Sequence, residues 1–357
     1  MSRAVVEKWL FELTNLPTAS GLEHRVSDWV LAWARRRQDL ETITDTGGNV
    51  LIRQRGRVSR APVLAVAHMD HPAFVISEVA GGDASFEFRG GVRADYFARA
   101  AVRFVTGEGK TGRVVVYDAG TRRGLIRFTG PRPQPGDIAI WRLPKPSPGS
   151  GRFMAPACDD LAGCAAALAF LDRARKLPNA RHWGVLLTRA EEVGFVGALH
   201  AAKSGSIPRA ARILSIEASR ASAEAPLGGG PVVRIGDAAT VFDNELTNLI
   251  SAAAARKGIG HQRRLMAGGS CEATAFGAYG YRAAGLCLPL RNYHNMGNLD
   301  SVEEGSGKAR VTHEEIALSD FHGLVDLLVI AAEAVDGTSD LRQRMDTLYS
   351  ESRHLLT

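Results

Sequence analysis

The sequence contains no run of about 18 apolar residues, so no segment of it reads as a bilayer-spanning helix. Its opening, MSRAVVEKWLFELTNLP, alternates charged with apolar residues and lacks the continuous apolar core of a secretory signal. Cysteine is scarce: Cys158, Cys164, Cys271 and Cys287 show no CxxC spacing, which argues for reduced thiols rather than a disulfide framework. These absences make a cytoplasmic protein the expectation. Charge of one sign is not concentrated either. The net charge of +6 is spread along the chain, and its densest cluster, Arg35–Arg37 in WARRRQ, reads as the solvated end of an amphipathic helix. Neither a nucleic acid nor a membrane is therefore expected as a partner. No internal repeat is present.

What is there is enough for one large domain plus a smaller one within 357 residues. Val5, Trp9, Leu10 and Leu13 recur at helical spacing, as do Val26, Trp29, Val30 and Trp33, and Ser20 is placed to cap the second of these helices. Strand candidates follow in ETITDT, NVLIRQ and PVLAVAH. From about Ala73 to Ser150 the texture changes to short runs bounded by Gly or Pro, the pattern of a small all-β barrel or sandwich. After Arg152, strands and helices alternate again. The expected class is α/β, with a mixed, mostly parallel sheet flanked by helices. Residues 1–72 and 152–357 would form that domain, and 73–151 an inserted β-barrel.

Candidate chemistry gathers where strand runs end, the edge at which open α/β sheets place their ligands. In HMDH, His68 and Asp70 lie two apart and point the same way on an extended chain, which suits a metal-ligating imidazole oriented by a carboxylate. In APACDDLAG, two adjacent carboxylates precede a helix. One can bridge two metal ions while the other caps or orients, and Asp159 is the favoured bridge. In RAEEVGFVGA, a pair of carboxylates ends an apolar strand and repels itself unless a cation is near. Adjacent side chains diverge, so Glu192 can bind a metal while Glu191 faces the attacking water as general base. Glu217 closes the strand ILSIEA, and His294 lies in a polar loop beyond RAAGLCLPL. Taken singly, each has a bland structural explanation. Together, three carboxylates and two imidazoles make a mixed O/N ligand set suited to zinc, cobalt or manganese rather than calcium.

These motifs resemble the co-catalytic metallo-aminopeptidases, in the branch of the glutamyl and tetrahedral aminopeptidases once described as cellulase M-like. HMDH, CDD before a small-residue helix, EEVGFVGA and the closing histidine carry the likeness. LTNLPTASGLE, HPAFVISEV, FRGGV and PGDIAIW resemble that family's opening and its inserted barrel. The resemblance implies two divalent metal ions, with His68 and Glu217 on one, Glu192 and His294 on the other, and Asp159 bridging. It also implies Glu191 as general base, Asp70 as the partner of His68, peptide substrates cut at a free N-terminus, and a homo-oligomer from dimer up to dodecamer.

Three departures from the family pattern stand out: Glu217 in place of Asp, Leu161 in place of Arg, and the segment Ser270–Cys271–Glu272 in place of a Thr-Asp pair. Ser270 and Glu272 are the candidate substrate contacts, and Glu272, or an oxygen of Glu217, is the candidate partner of the substrate ammonium. Barrel aromatics Phe86, Phe88, Tyr96 and Phe97 are expected at a subunit contact. The alternatives are a carboxypeptidase or N-acyl amino acid deacylase on the same core, and a catalytically inactive assembling homologue.

Overall fold

The computed structural model describes residues 2–56, 59–106, 109–337 and 341–356. Two helices come first, α1 (Arg3–Thr14) and α2 (His24–Arg35). Their apolar stripes, Leu10 and Leu13 on one and Val26, Val30 and Trp33 on the other, are buried, as the 3.6-residue period requires of a helix packed on one side. Two details differ from the sequence reading. Arg37 is turned inward: its guanidinium lies 3.7 Å over the Trp33 ring and donates to Asp172 at 2.8 Å. Ser20 caps nothing. The flanking residue of α2 is Glu23, with no side-chain cap, and the buried Ser20 hydroxyl instead donates to Asp70 Oδ2 at 2.6 Å.

Strands β1 (Leu40–Thr44), β2 (Val50–Gln54) and β3 (Val63–His68) begin the main sheet. The chain then leaves it for β4 (Ala73–Ala80), β5 (Asp83–Arg89), β6 (Ala101–Phe104), β7 (Thr111–Asp118), β8 (Arg123–Thr129) and β9 (Ile138–Trp141). These strands close into an antiparallel barrel in the order β4-β5-β8-β7-β6-β9. Phe86, Phe88, Phe97 and Trp141 surround Phe74 at centroid distances of 4.6 to 5.9 Å. The expectation that Phe86, Phe88, Tyr96 and Phe97 form a contact surface is thereby overturned, because all four are buried. A small barrel must fill its own lumen with every second side chain, and Phe86 and Phe88, two apart on one strand, serve that purpose.

The chain returns through β10 (Arg152–Ala155), α3 (Leu161–Ala174), β11 (Trp183–Thr188), α4 (Val196–Ser204) and β12 (Arg212–Arg220). Next come β13 (Val232–Gly236), α5 (Asn244–Arg256), β14 (Gln262–Leu265), α6 (Glu272–Ala278) and β15 (Arg282–Leu290). The last elements are β16 (Met296–Gly297), α7 (Leu299–Glu303), β17 (Arg310–Val311), β18 (Glu314–Ala317), α8 (Leu318–Ala334) and α9 (Leu341–Ser352). The main sheet runs β1-β2-β11-β3-β12-β15-β13-β14, with parallel pairing from β11 through β3 and β12 to β15.

The α/β class with an inserted closed barrel is thus as expected. The periodicity reading names neither β13 nor α6, since five or seven residues carry too little pattern. Helix α3 is buried at every position except Arg173, which explains its Ala- and Leu-rich composition on all sides. No helix among the described residues is long and apolar enough to cross a membrane.

Candidate metal centre

Four parallel neighbours, β11, β3, β12 and β15, bring distant segments to one end of the sheet. His68 is the last residue of β3, and Glu191 and Glu192 lie just past the end of β11. Glu217 corrects the strand-end expectation: β12 continues to Arg220, so this carboxylate projects from within the strand. Asp159 and Asp160 immediately precede α3, joined by a cis peptide bond, and His294 sits in a short turn beyond β15.

Asp159 lies between the two imidazoles. Its Oδ1 is 3.4 Å from His68 Nε2 and its Oδ2 is 3.3 Å from His294 Nε2. Glu192 Oε1 approaches the same His294 nitrogen at 3.2 Å, and Glu217 Oε1 approaches His68 Nε2 at 3.9 Å. Glu191 Oε2 is also 3.9 Å from His68 Nε2. The sequence-derived residues therefore converge on one buried volume, with Glu191 on the His68 side.

What holds them is only partly visible in the motifs. Asp70 faces His68 Nδ1 at 3.4 Å and accepts the backbone N–H groups of Glu191 and Glu192 at 3.0 and 3.1 Å. The Asp70 carbonyl also lies 3.2 Å from His68 Nδ1, so this residue meets the first imidazole through backbone and side chain while its carboxylate shapes the Glu-Glu turn. Glu23 supports that turn from the N-terminal segment, accepting from Ala190 N at 3.0 Å and Arg189 Nε at 2.6 Å.

Glu314 is among the residues that sequence reasoning missed. Its Oε2 accepts from Cys158 N at 2.6 Å and Asp159 N at 2.9 Å, and its Oε1 accepts from His294 N at 2.8 Å. A buried carboxylate in THEE, 20 residues beyond His294, gives no local signal of this role. His71, set aside as structural, has Nδ1 2.6 Å from the Asp159 carbonyl. The barrel contributes as well, since the Gly91 carbonyl lies 2.6 Å from His294 Nδ1. Backbone strain collects here: Ala190, His294 and Asn295 hold φ of 52°, 53° and 64°. Left-handed conformations outside glycine cost about 1 kcal/mol or more each and persist only where neighbours enforce them.

The electrostatics are those of a carboxylate excess. Burial alone would lower the His68 pKa, but Glu191, Asp159, Asp70 and Glu217 raise it well above the usual value. His294 is raised likewise, by Glu192 and Asp159 against the effect of burial. Burial pushes Glu217 up to about 8, reinforced by Asp159, and Glu191 well up, reinforced by Glu217 and Glu192. Nor are the groups satisfied within the protein: His68 Nε2, Asp159 Oδ1, Glu192 Oε1 and Glu217 Oε2 are buried without a hydrogen-bond partner. Unpaired buried charge is costly unless a cation compensates it. Two ligand sets, His68–Asp159–Glu192 and His68–Glu191–Glu217, each bring their ligand atoms within 4.8 Å of one another. The donor set therefore fits divalent metal.

Asp160 and Glu272 belong to neither ligand set, although both feel the charge of His68. Asp160 makes no side-chain cap, and burial holds its carboxyl well above the usual range. A Cβ at Gly163 would fall 2.1 Å from Asp160 Oδ1, so glycine is needed in the next turn. Glu272, at the start of α6, is wholly buried with both oxygens unpartnered, and burial pushes it up to about 7. Ser270 instead lines a cavity of about 570 Å³ that opens beside Glu217.

The comparisons bear on this site directly. The M42 glutamyl aminopeptidase family model matches residues 134–306, a span that contains Asp159, Glu191, Glu192, Glu217 and His294 but not His68. No curated protein matches the sequence. Among solved structures, an aminopeptidase from the archaeon Desulfurococcus kamchatkensis superposes with TM-score 0.74 at 22% identity, covering 94% of this chain and 96% of that one. The TET aminopeptidase of a marine sediment Thaumarchaeota archaeon gives 0.76 at 20% identity, over 92% and 97%. The TET1 peptidase of Pyrococcus horikoshii, which assembles into a tetrahedron or a large octahedral shell, gives 0.72 at 21%, over 92% and 99%. The likeness read from the motifs and the likeness of the fold thus coincide: residues 134–306 match the M42 glutamyl aminopeptidase family, and the chain has the fold of the tetrahedral aminopeptidases.

Proposed function

We propose that this chain is a dinuclear metal-dependent aminopeptidase that removes residues from the free N-terminus of peptides. The observation that carries the reading is the Asp159 carboxylate, which offers one oxygen toward His68 and the other toward His294 at nearly equal distances. His68 and Glu217 would hold one ion, Glu192 and His294 the other, with Asp159 shared. Zinc, cobalt or manganese suits these donors. When bound, two such ions polarise the scissile carbonyl and make water acidic enough to attack it at neutral pH. Glu191 takes the proton from the attacking water and delivers it to the leaving nitrogen as the carbonyl carbon–nitrogen bond breaks. Its backbone is fixed by Asp70, so the carboxylate is held in place before substrate arrives.

Metal analysis of the purified protein, with one peptide offered first with a free and then with an acetylated N-terminus, tests the reading. Two equivalents of metal and cleavage of only the free form are expected. Release of residues from the C-terminal end, or equal cleavage of both forms, would replace it with the carboxypeptidase or deacylase alternative.

Assembly into a homo-oligomer belongs to the same reading, supported by the tetrahedral and octahedral shells of the related TET1 peptidase. On this barrel, Val115 and Val116 of β7 are the exposed apolar residues available for such a contact.

A further inference from the structure

A cavity of about 770 Å³ lies at the starting ends of β3 and β11, whereas the candidate metal ligands gather at the far ends of those strands. Cavities of a few hundred to about 1,000 Å³ are the usual size for small ligands. The floor is apolar: Leu51 of β2 and Leu64 of β3 lie beside Gly184 of β11. A Cβ at Gly184 would fall 2.9 Å from the Ile52 carbonyl and 3.1 Å from Leu64 Cδ2, so glycine keeps that floor bare. The rim is cationic, with Arg53, Arg60 and Arg181.

This positive charge is not balanced within the protein. Arg53 pairs with Glu41 at 2.8 Å. Asp336 is shared between Arg60 at 3.3 Å and Arg212 at 2.8 Å, with His182 Nε2 at 3.6 Å. With Arg181, four guanidiniums face two carboxylates, an excess of two positive charges among the described residues. Burial lowers the His182 pKa, and Arg60 and Arg212 lower it further against the opposing charge of Asp336. Arg181 has no carboxylate partner among the described residues. Its Nη2 donates to the Arg55 carbonyl at 3.0 Å. Gly56, at φ 103°, makes room for that contact, since a Cβ there would stand 3.1 Å from the same nitrogen. Backbone therefore positions this guanidinium, and its other donors are uncommitted.

We propose that this cavity binds a small molecule bearing two or more phosphate groups. The planar fork of a guanidinium matches carboxylate and phosphate alike. A terminal phosphate, however, presents three acceptor oxygens and up to about two charges, so several guanidiniums can share it. A carboxylate presents two oxygens and a single charge. An uncompensated rim of several arginines therefore favours phosphate. Two sources supply it: inorganic diphosphate, which uses the rim alone, and an organic diphosphate, whose body also covers Leu51 and Leu64. The inference does not rest on the aminopeptidase reading, because none of these residues belongs to the metal centre.

The test is titration calorimetry on the full chain with four probes: inorganic pyrophosphate, adenosine diphosphate, adenosine and citrate. At least one of the two phosphate probes should bind about tenfold or more tightly than both adenosine and citrate. Tighter binding of adenosine diphosphate than of pyrophosphate names the organic source, and an equal or reversed order names the inorganic one. In the double variant Arg60→Gln with Arg181→Gln, that affinity should fall about tenfold or more. Both side chains are exposed, so the denaturation midpoint of the unliganded variant should match that of wild type.

Absence of binding by either phosphate probe would overturn the proposal. So would an affinity that survives the double variant, which is the outcome expected if these anions merely chelate ions at the metal centre. Citrate bound as tightly as the phosphates would reduce the cavity to an unselective basic surface and refute the assignment. Adenosine bound as tightly as its diphosphate, with no binding of pyrophosphate, would place recognition on the apolar floor alone and refute it equally.

Discussion

Glu191 and Glu192 are neighbours in the chain with different surroundings, and the difference gives the sharpest test. Glu192 reaches His294, whereas Glu191 stays 3.9 Å from His68 with its backbone pinned by Asp70. Glu191→Gln is expected to keep the fold and the metal while kcat falls about 10²- to 10⁴-fold, the usual contribution of a general base. Near-normal turnover would assign the base elsewhere. Glu314 tests positioning rather than chemistry. Removing its carboxylate leaves the N–H groups of Cys158, Asp159 and His294 without their acceptor. Glu314→Ala should weaken metal affinity about 10- to 100-fold, as loss of a group orienting the ligands does, with partial rescue in Glu314→Gln. Metal titration of the three proteins decides it, and equal affinities would show the contacts to be incidental.

At the scale of elements, the seam between the end of α2 and α3 makes a prediction about pH. Burial tends to raise the Asp172 carboxyl, but the hydrogen bond and charge of Arg37, with Lys176 and Arg175 beside it, hold it below its usual range. A depressed folded pKa stabilises the protein above the unfolded value of about 4 and ceases to do so as pH falls through the folded value. Asp172→Asn should therefore lower stability by up to about 1 kcal/mol at pH 7, a figure kept small because the network is partly solvated. In urea titrations the gap from wild type should narrow below pH 4. A gap that widens on acidification would contradict the assignment.

For the whole molecule, the barrel is joined to the α/β domain beside the cluster of candidate ligands. The Gly91 carbonyl meets His294, and the Tyr96 hydroxyl donates to the Gly297 carbonyl at 2.8 Å across the junction. Tyr96→Phe should cost about 1 kcal/mol, the net worth of one such bond, measured as a lower denaturation midpoint. Assembly belongs to this scale too. Light scattering should give a species larger than one chain, and Val116→Asp should shift it toward monomer. A strict monomer at all concentrations would remove the proposed assembly.

The sequence by itself determined the class of fold, since apolar strands alternating with amphipathic helices leave few ways to bury both. The run of short β segments between His68 and Asp159 marked the barrel, and HMDH, DD, EE, Glu217 and His294 supplied the candidate ligands because clustered carboxylates at strand ends need a reason to be there. Only the tertiary structure decided which atoms face one another. It placed the barrel aromatics inside, moved Ser20 from a helix cap to Asp70, and recruited Glu23, Glu314 and Gly91 from distant segments to hold the site. Those contacts join residues up to 203 positions apart, and no local period records them.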